Sequence, residues 1–272
     1  MIPNNQFFFN NKSEEVSLLQ TWYNALSVKP SAQLWTDLNA LANGLNEDGN
    51  WTKLDLFSLV AGMETNEQRL KPLITVTGLD IVATGGSFSN AGFANGGVGY
   101  IDLNYNPNED SINYTLLSAY YSTYVDNITP SVGYITNYIM GAFNDGGFTA
   151  SGSTWGGDFE ASSIEGVING DISATAGIVD SNPTSYYFGV VNSSNSITCR
   201  VNGSTDSATA ILAEMSLPSY SLFGGAANDA GTPYISDGGG AFTTRHYMAG
   251  AGTVNQEQIR TRLNTFYTAR GI

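Results

Sequence analysis

The sequence predicts a mainly β fold, an antiparallel sandwich or barrel with a short helical region at its start and one packed helix at its end. Three observations support this prediction. From Leu73 onward, apolar and polar residues alternate in short runs without intervening helical patterns. The chain holds 31 glycines and many Asn, Ser and Thr residues, which suit frequent turns. Helical spacing of apolar residues occurs only before residue 72 and after Thr253.

Composition excludes several classes of function. Only 12% of the residues are charged, and the formal net charge is −14 at pH 7. Nucleic-acid phosphates and anionic membrane surfaces need clustered Lys and Arg, so this composition predicts neither partner. A single cysteine, Cys199, excludes an intrachain disulfide framework, and a single histidine, His246, excludes a multi-histidine metal site. We therefore expect no cofactor and no metal.

The first 72 residues predict three short helices. Ser13 is a plausible N-cap of the first, which Lys29-Pro30 ends. The second is predicted from about Ala32 to Asn43, with Gly44 as its C-terminal cap. The third is predicted from Lys53 to Ala61.

The remaining elements follow from alternation, turn residues and capping. Asn-Gly pairs such as Asn202-Gly203 suit tight hairpins because they accept positive φ. Thr253 with Gln256 has capping-box spacing, and the helix that follows is predicted to end near Gly271. The predicted strands are Ile74–Ala83, Val98–Asn104, Ile112–Tyr121, Gly133–Phe143, Tyr186–Val191, Ser196–Val201, Ala208–Glu214, Ser219–Phe223 and Phe242–Met248.

Four ordered segments resemble a known family. They are residues 44–67 around Trp51 and Asp55, the run 92–107 that ends Tyr-Ile-Asp-Leu-Asn-Tyr-Asn-Pro, the hairpin residues 186–203, and the closing stretch 248–267. In this order they are similar to the concanavalin A-like (laminin G-like) jelly-roll domain of tailed-phage and prophage tail fibre, spike and minor tail proteins. Residues 151–180 have no counterpart in that pattern.

The resemblance implies a jelly-roll sandwich over residues 46–272 and a helical attachment or oligomerisation region over residues 1–45. It implies a virion structural protein, a spike, fibre or tail-tip component, that displays a host-surface or glycan-binding domain. The expected partners are other virion proteins, a host glycan or receptor, and further copies of the chain, with a trimer favoured. No secretory signal is recognisable, so we expect synthesis in the host cytoplasm and residence in the virion. The alternatives are an architectural capsid decoration or connector protein, and a polysaccharide depolymerase.

Two probable loops carry the mixed chemistry of a glycan site. Aromatic rings stack on the apolar faces of sugars, while carboxylates and amides bind the hydroxyls. The first loop surrounds Trp155, and the second covers Asn228–Asp237. The candidate glycan-binding residues are Trp155, Asp158, Asn228, Asp229, Tyr234 and Asp237.

Other groups of polar and reactive residues in the sequence are predicted to have structural roles rather than catalytic or metal-binding ones. The alternating oxygen ligands from Asp102 to Asp110 resemble a calcium loop, but Pro107 replaces its required glycine, so a strand-to-turn role is predicted. Asp158 and Glu160 could form a hydrolase pair on one strand face, with Glu165 facing the other way if the strand is continuous. An exposed polar strand is favoured there, and we predict that the chain is not an enzyme. His246 is predicted to be an ordinary sheet residue and Cys199 a buried apolar one.

Overall fold

The computed structural model describes residues 17–129, 136–143, 153–158, 163–170, 176–179, 185–194, 196–209, 216–234 and 241–272. Two β-sheets pack face to face, and helices cover the outer face of the first sheet. The predicted fold class, a jelly-roll β-sandwich with a closing helix, is confirmed. No helix within the described ranges is both long and apolar enough to cross a membrane.

Five α-helices and eighteen strands are described. The helices are α1 (Gln20–Ala25), α2 (Ala32–Glu47), α3 (Asn66–Leu70), α4 (Pro107–Asp110) and α5 (Gln256–Ala269), with a 3₁₀ turn at Trp51–Lys53. The strands are β1 (Leu54–Leu59), β2 (Ile74–Thr75), β3 (Val82–Thr84), β4 (Ser87–Ser89), β5 (Gly92–Ala94), β6 (Tyr100–Asp102), β7 (Ser118–Thr129), β8 (Thr136–Phe143), β9 (Ser153–Asp158), β10 (Ser163–Gly170), β11 (Ala176–Val179), β12 (Ser185–Ser193), β13 (Ser196–Val201), β14 (Ser204–Thr209), β15 (Phe223–Gly224), β16 (Ala227–Asp229), β17 (Thr232–Tyr234) and β18 (Ala241–Gly250).

The two sheets are built from strands distant in sequence. The first sheet runs β14-β13-β12-β7-β18-β1-β2, and β5 adds β4 beside β18. The second runs β11-β10-β9-β8-β15-β6-β3, with β16 and β17 added beside β8. Among the described strands, only the pairing of β16 with β8 is parallel. The fold therefore depends on long-range pairing, as is typical of sandwiches.

The space between the sheets is filled by aromatic and aliphatic residues of the first sheet and by mostly aliphatic residues of the second. Tyr121 and Phe188 have ring centroids 6.0 Å apart, and both are fully buried. At Gly166 a Cβ atom would lie 2.4 Å from Val190, so the sheets approach too closely there for any larger residue. The second sheet contributes Ile101, Ile139, Met140, Ala142 and Ile168 to this core.

The helical layer packs on the opposite face of the first sheet. Leu34, Leu38, Leu41 and Leu45 of α2 are all buried there, in one apolar cluster with side chains of α5 and of β1. This burial follows the i, i+3, i+4 spacing of an amphipathic helix. The boundary predicted between residues 45 and 46 falls inside α2, and the assembly function predicted for residues 1–45 stays a prediction.

Two helix predictions are wrong at their ends. Gly44 is not a cap but lies inside α2, where a Cβ atom would lie 2.8 Å from Arg262 Nε. The helix continues to Glu47, and Asp48 beyond it accepts hydrogen bonds from Arg262 at 2.9 and 3.0 Å. At α5 the N-cap is Asn255 rather than Thr253, because the Asn255 side chain accepts from the Gln258 N–H. The predicted cap Ser13 lies outside the described residues.

The predicted third helix, Lys53–Ala61, is wrong. Its residues form the short turn Trp51–Lys53 and then strand β1, which is buried on both faces. Leu56 faces the core between the sheets, whereas Phe57 and Leu59 face the helices. A short apolar run buried on both sides has no period that separates a strand from a helix.

The sequence predicts where most strands lie more accurately than where each strand begins and ends. Ser196–Val201 is β13, and Asn202-Gly203 forms the predicted tight turn, with Asn202 at φ 52°. The segments Val98–Asn104, Gly133–Phe143, Tyr186–Val191 and Phe242–Met248 overlap β6, β8, β12 and β18. Three others have wrong bounds: Ile74–Ala83 is two strands, β2 and β3, Ile112–Tyr121 begins only at Ser118, and Ser219–Phe223 meets β15 only at Phe223. Ala208–Glu214 overlaps β14 at Ala208 and Thr209, and the rest of it lies outside the described residues.

A buried carboxylate joins β1 to the segment before β7. Asp55 is fully buried, and its two oxygens accept hydrogen bonds from the backbone N–H groups of Ile112, Asn113 and Tyr114 at 2.8 to 3.1 Å. The Tyr105 hydroxyl donates to the same carboxylate at 3.1 Å. The Asp55 carboxylate thus satisfies three backbone donors of a loop that has no ladder partner there.

Candidate functional site

The second sheet brings together the two segments that the sequence singled out. Trp155 lies on β9 and Tyr234 on β17, so neither segment is a plain loop. Gly141 of β8 is the register partner of Trp155 on one side and of Ala227 on the other, and Ala227 pairs with Tyr234. Trp155 and Tyr234 therefore lie in one row across four strands, roughly 14 Å apart at about 4.8 Å per strand.

This row belongs to the outer face of the second sheet, the face turned away from the first sheet. Ile139, Met140 and Ile168 point into the core between the sheets, whereas Tyr138, Phe143 and Val167 form a separate apolar cluster. That cluster draws only on strands of the second sheet, which places it on the outer face. Gly141 is also the register partner of Phe223, on the edge of β8 opposite β9, and the row continues from Phe223 through Asp102 and Val82.

Three rings form the centre of this outer face. Tyr234 is half-buried, and its ring centroid lies 5.4 Å from that of Tyr138 and 6.4 Å from that of Phe143. Tyr138 and Phe143 are 5.3 Å apart in an edge-to-face arrangement and are almost fully buried. Edge-to-face contacts at these distances hold aromatic rings in fixed orientations. Tyr234 is thus a partly exposed ring on a rigid aromatic base.

A second aromatic pair lies further along the same face. Tyr100 of β6 stacks on Phe223 of β15 with ring centroids 4.8 Å apart. Tyr100 is partly exposed, while Phe223 is buried. Asp102 shares this face, and its burial raises the pKa of its carboxyl group, although hydrogen bonds from the Asn104 N–H and the Ser221 side chain oppose the rise.

The hairpin β16–β17 assigns different roles to its two polar residues. Asn228 is buried: its Nδ2 donates to the Ser221 carbonyl at 2.9 Å, and its Oδ1 accepts from the Gly231 N–H at 2.7 Å. The Asn228 amide therefore holds the turn, which contains Ala230 at φ 49°. Asp229 is only partly buried, and its Oδ1 has no hydrogen-bond partner among the described residues. That oxygen is itself buried, although the residue as a whole is partly exposed.

The carboxylates near Trp155 are arranged differently from the expectation. Asp158 ends β9, and Glu160 lies outside the described residues. The premise of one continuous strand is wrong, because Glu165 lies on the next strand, β10, as the register partner of Asp158. Register partners on antiparallel strands have Cα atoms about 5 Å apart. Asp237, the remaining predicted site residue, lies outside the described residues.

The segment from Asp102 to Asp110 has the predicted structural role. Asp102 accepts from the Asn104 N–H at 2.8 Å, and Asn104 adopts φ 48°. Asn106 caps the short helix α4, and Asp110 accepts from the Asn106 N–H at 2.7 Å. Within the described ranges, no three His, Cys, Asp or Glu side chains are grouped so that they could hold a metal ion.

Both single-copy residues are buried in the first sheet, as predicted. Cys199 is fully buried between the sheets. His246 lies on β18 under α5, with Nδ1 2.9 Å from the Tyr267 hydroxyl and Nε2 3.3 Å from the Ser122 hydroxyl. Burial, with a smaller contribution from the charge of Arg245, lowers the pKa of His246 from 6.5 to about 3. The imidazole is therefore neutral and inaccessible to a substrate.

Sequence reasoning missed the ring partners of this outer face. Tyr100, Tyr138, Phe143 and Phe223 were not singled out, although the alternation Tyr100-Ile101-Asp102 already indicated a strand with one outward aromatic. The register that joins β8, β9 and β16 cannot be read from a sequence, because these strands are separated by many residues and pair through long-range contacts.

Comparison with known proteins shows which solved structures have a similar fold. No protein-family model and no curated protein matches the chain. Among solved structures, the binding domain of botulinum neurotoxin serotype C1 is similar, with 12% identity and a TM-score of 0.51 over 79% of this chain and 52% of that one. The likeness is one of fold.

Other solved structures match more loosely. Trypanosoma rangeli sialidase is 13% identical, with a TM-score of 0.46 over 82% of this chain and 38% of that one. Domains LG4-5 of the mouse laminin alpha1 chain are 11% identical, with a TM-score of 0.36 over 53% of this chain and 39% of that one. The chain spans about half the length of the botulinum neurotoxin domains that it matches.

Proposed function

We propose that this chain is a glycan-binding protein and that the outer face of the second sheet is its binding surface. One observation carries the proposal: two partly exposed tyrosines, Tyr234 and Tyr100, are each held by buried aromatic neighbours on the same sheet face. Rings fixed in this way lose little conformational freedom when a sugar stacks on them. The neurotoxin domain that shares the fold is itself named a binding domain, which supports a binding function.

Polar groups beside the rings complete this chemistry. Asp229 is a partly exposed residue on the same face, and carboxylate oxygens accept hydrogen bonds from sugar hydroxyls. Trp155 lies in the same register row as Tyr234, at a spacing that suits an oligosaccharide rather than a single sugar. The amide of Asn228 is already used in the turn, and the proposal does not depend on it.

Replacing Tyr234 with alanine tests the proposal. We expect Tyr234→Ala to weaken glycan binding at least tenfold, because it removes the central exposed ring and the contact area that the ring offers a sugar. Binding would be measured on an array of immobilised glycans and then by calorimetry with the glycans that bind. Unchanged affinity in this variant would refute the assignment of the site.

Tyr23→Ala is the matched control. Tyr23 is also a half-buried tyrosine packed on another ring, with its centroid 4.6 Å from that of Trp35, but it lies in the helical layer on the other side of the sandwich. Both variants should lose similar stability, and only Tyr234→Ala should lose binding.

We further propose that the domain acts as a spike, fibre or tail-tip component of a phage virion, made in the host cytoplasm. Support comes from the ordered sequence segments that resemble virion proteins. Such proteins raise weak affinity per site through many copies. We expect light scattering of the full-length protein to give a mass near three times the 28.9 kDa chain. A monomer would remove self-assembly from the proposal and favour attachment to another virion protein, as in an architectural decoration or connector.

A depolymerase stays a second candidate because of the register between Asp158 and Glu165. Retaining glycosidases need two carboxyl groups about 5 Å apart. Release of reducing ends from a bound polysaccharide by the wild type, lost in Asp158→Asn, would favour this function. Binding without release favours the adhesin.

A further inference from the structure

Positive charge is absent from two long stretches of the chain. No lysine or arginine occurs between Lys71 and Arg200, or between Arg200 and Arg245. The second sheet lies wholly within these stretches, from β3 to β17. Neither its strands nor the segments that directly connect them therefore contain a cationic side chain.

Two of the described arginines are engaged elsewhere in the molecule. Arg262 pairs with Asp48 at 2.9 Å, within the helical layer. Arg245 pairs with Asp126 on the first sheet and lies over the rings of Tyr124 and Tyr267 at 4.5 and 5.0 Å. These contacts hold both arginines on the first sheet and its helical layer, away from the aromatic outer face.

The acidic residues are distributed in the opposite way. The strands of the second sheet carry four carboxylates and no compensating cation, namely Asp102, Asp158, Glu165 and Asp229. Two of them, Asp102 and Asp229, lie on the same face as Tyr100 and Tyr234. Asp229 is also the partly exposed carboxylate proposed above to accept a sugar hydroxyl.

We propose that the glycan bound at this face contains no acidic sugar, so that the ligand is a neutral polysaccharide. This inference rests on the proposed glycan-binding function and specifies its ligand class. A sugar carboxylate stacked beside Tyr234 would lie close to Asp229 on the same hairpin, with no arginine or lysine in the strands of the second sheet to bind it. Like charges at that range repel, and binding a carboxylate normally uses the paired donors of arginine.

The experiment compares neutral glycans with their acidic counterparts on the same backbone. The probes are N-acetyllactosamine and its sialylated form, and dextran and carboxymethyl-dextran, within a wider array of such pairs. For each backbone that binds, we expect the neutral member to bind at least tenfold more tightly in 20 mM salt. The ratio should shrink in 500 mM salt, because screening shortens the range of the repulsion.

A charge-removing variant tests whether Asp229 is responsible for the preference for neutral over acidic glycans. Asp229→Asn keeps the size of the side chain and removes its charge, so the neutral-to-acidic ratio should fall severalfold. Glu47→Gln is the matched control, because Glu47 is an exposed carboxylate in the helical layer, and its ratio should stay within twofold of the wild type.

The outcomes separate the two proposals. Equal or tighter binding of acidic glycans would overturn this inference and leave the glycan-binding function standing. An array without binding to any glycan, neutral or acidic, would overturn the function and this inference with it. If Asp229→Asn and Glu47→Gln change the neutral-to-acidic ratio equally, then the net charge of the protein, and not this face, excludes acidic sugars. That result would also overturn the inference.

Discussion

Replacing Asp55 with alanine should lower the free energy of unfolding by about 4 kcal/mol, the largest effect expected of any single substitution considered. The variant leaves the N–H groups of Ile112, Asn113 and Tyr114 without their acceptor, at hydrogen bonds that are buried for Tyr114 and partly buried for the other two. Each unsatisfied buried donor costs about 1–3 kcal/mol. The measurement is urea unfolding followed by fluorescence, with the slope checked against the wild type.

Two further variants show whether the carboxylate itself is responsible. Asp55→Asn keeps the shape and one acceptor oxygen, so its loss should be smaller than that of alanine. Asp110→Ala removes a carboxylate that accepts one hydrogen bond, from the Asn106 N–H, and should cost about 1 kcal/mol. A loss in Asp55→Ala no larger than that of Asp110→Ala would contradict the role assigned to Asp55.

Acidification should destabilise the protein through His246. The pKa of this residue is about 3 in the folded protein against 6.5 in the unfolded chain, so the unfolded state binds the extra proton as the pH falls. Stability is unaffected by this residue above about pH 7, declines below pH 6.5, and stops declining below about pH 3. Between pH 7 and pH 4 the loss attributable to His246 should be about 3 kcal/mol.

The variant His246→Gln separates this effect from the titration of carboxylates. Glutamine can still bond to the hydroxyls of Tyr267 and Ser122 but has no proton to gain. We expect it to be less stable than the wild type at pH 7 and to lose about 3 kcal/mol less on going to pH 4. Unfolding free energies measured at several pH values for both proteins give the comparison, and parallel curves would exclude the buried neutral imidazole.

Much of the fold could be predicted from sequence because its signals are local. Alternation, Asn-Gly turns and the spacing of leucines in α2 each depend on neighbouring residues, and they identified the sandwich and both helical ends. The strand β1 was missed because its burial on both faces comes from layers built by other parts of the chain. Local pattern cannot report a contact with a distant layer.

Two of the segments that resemble virion proteins meet in space. Asp55 belongs to the first and Tyr105 to the second, and the Tyr105 hydroxyl donates to the Asp55 carboxylate. The residues that carry the resemblance therefore form a structural contact between two segments here and do not by themselves mark a binding site. This explains why the resemblance predicted the architecture well and identified no site residues.

Three of the residues predicted to bind a glycan lie in one sheet, and their binding role stays a prediction. Trp155, Asp229 and Tyr234 lie on neighbouring strands of one sheet, although each was assigned to a loop. Asn228 has the polar side chain expected of a ligand-binding residue, yet the structure uses both ends of its amide. Sequence identifies the chemistry of a side chain, and only the fold shows whether that chemistry is already engaged.

The helical layer also determines which side of the molecule faces outward when the chain is attached to a surface through Ile272. Leu19 near the start of the described chain and Ile272 at its end both pack in the cluster that holds α2 and α5 to the first sheet. A linker fused at Ile272 therefore leaves from the side opposite Tyr234 and Tyr100. A copy tethered to a bead, a sensor chip or a particle by this end will direct its aromatic face outward, toward whatever surface it meets.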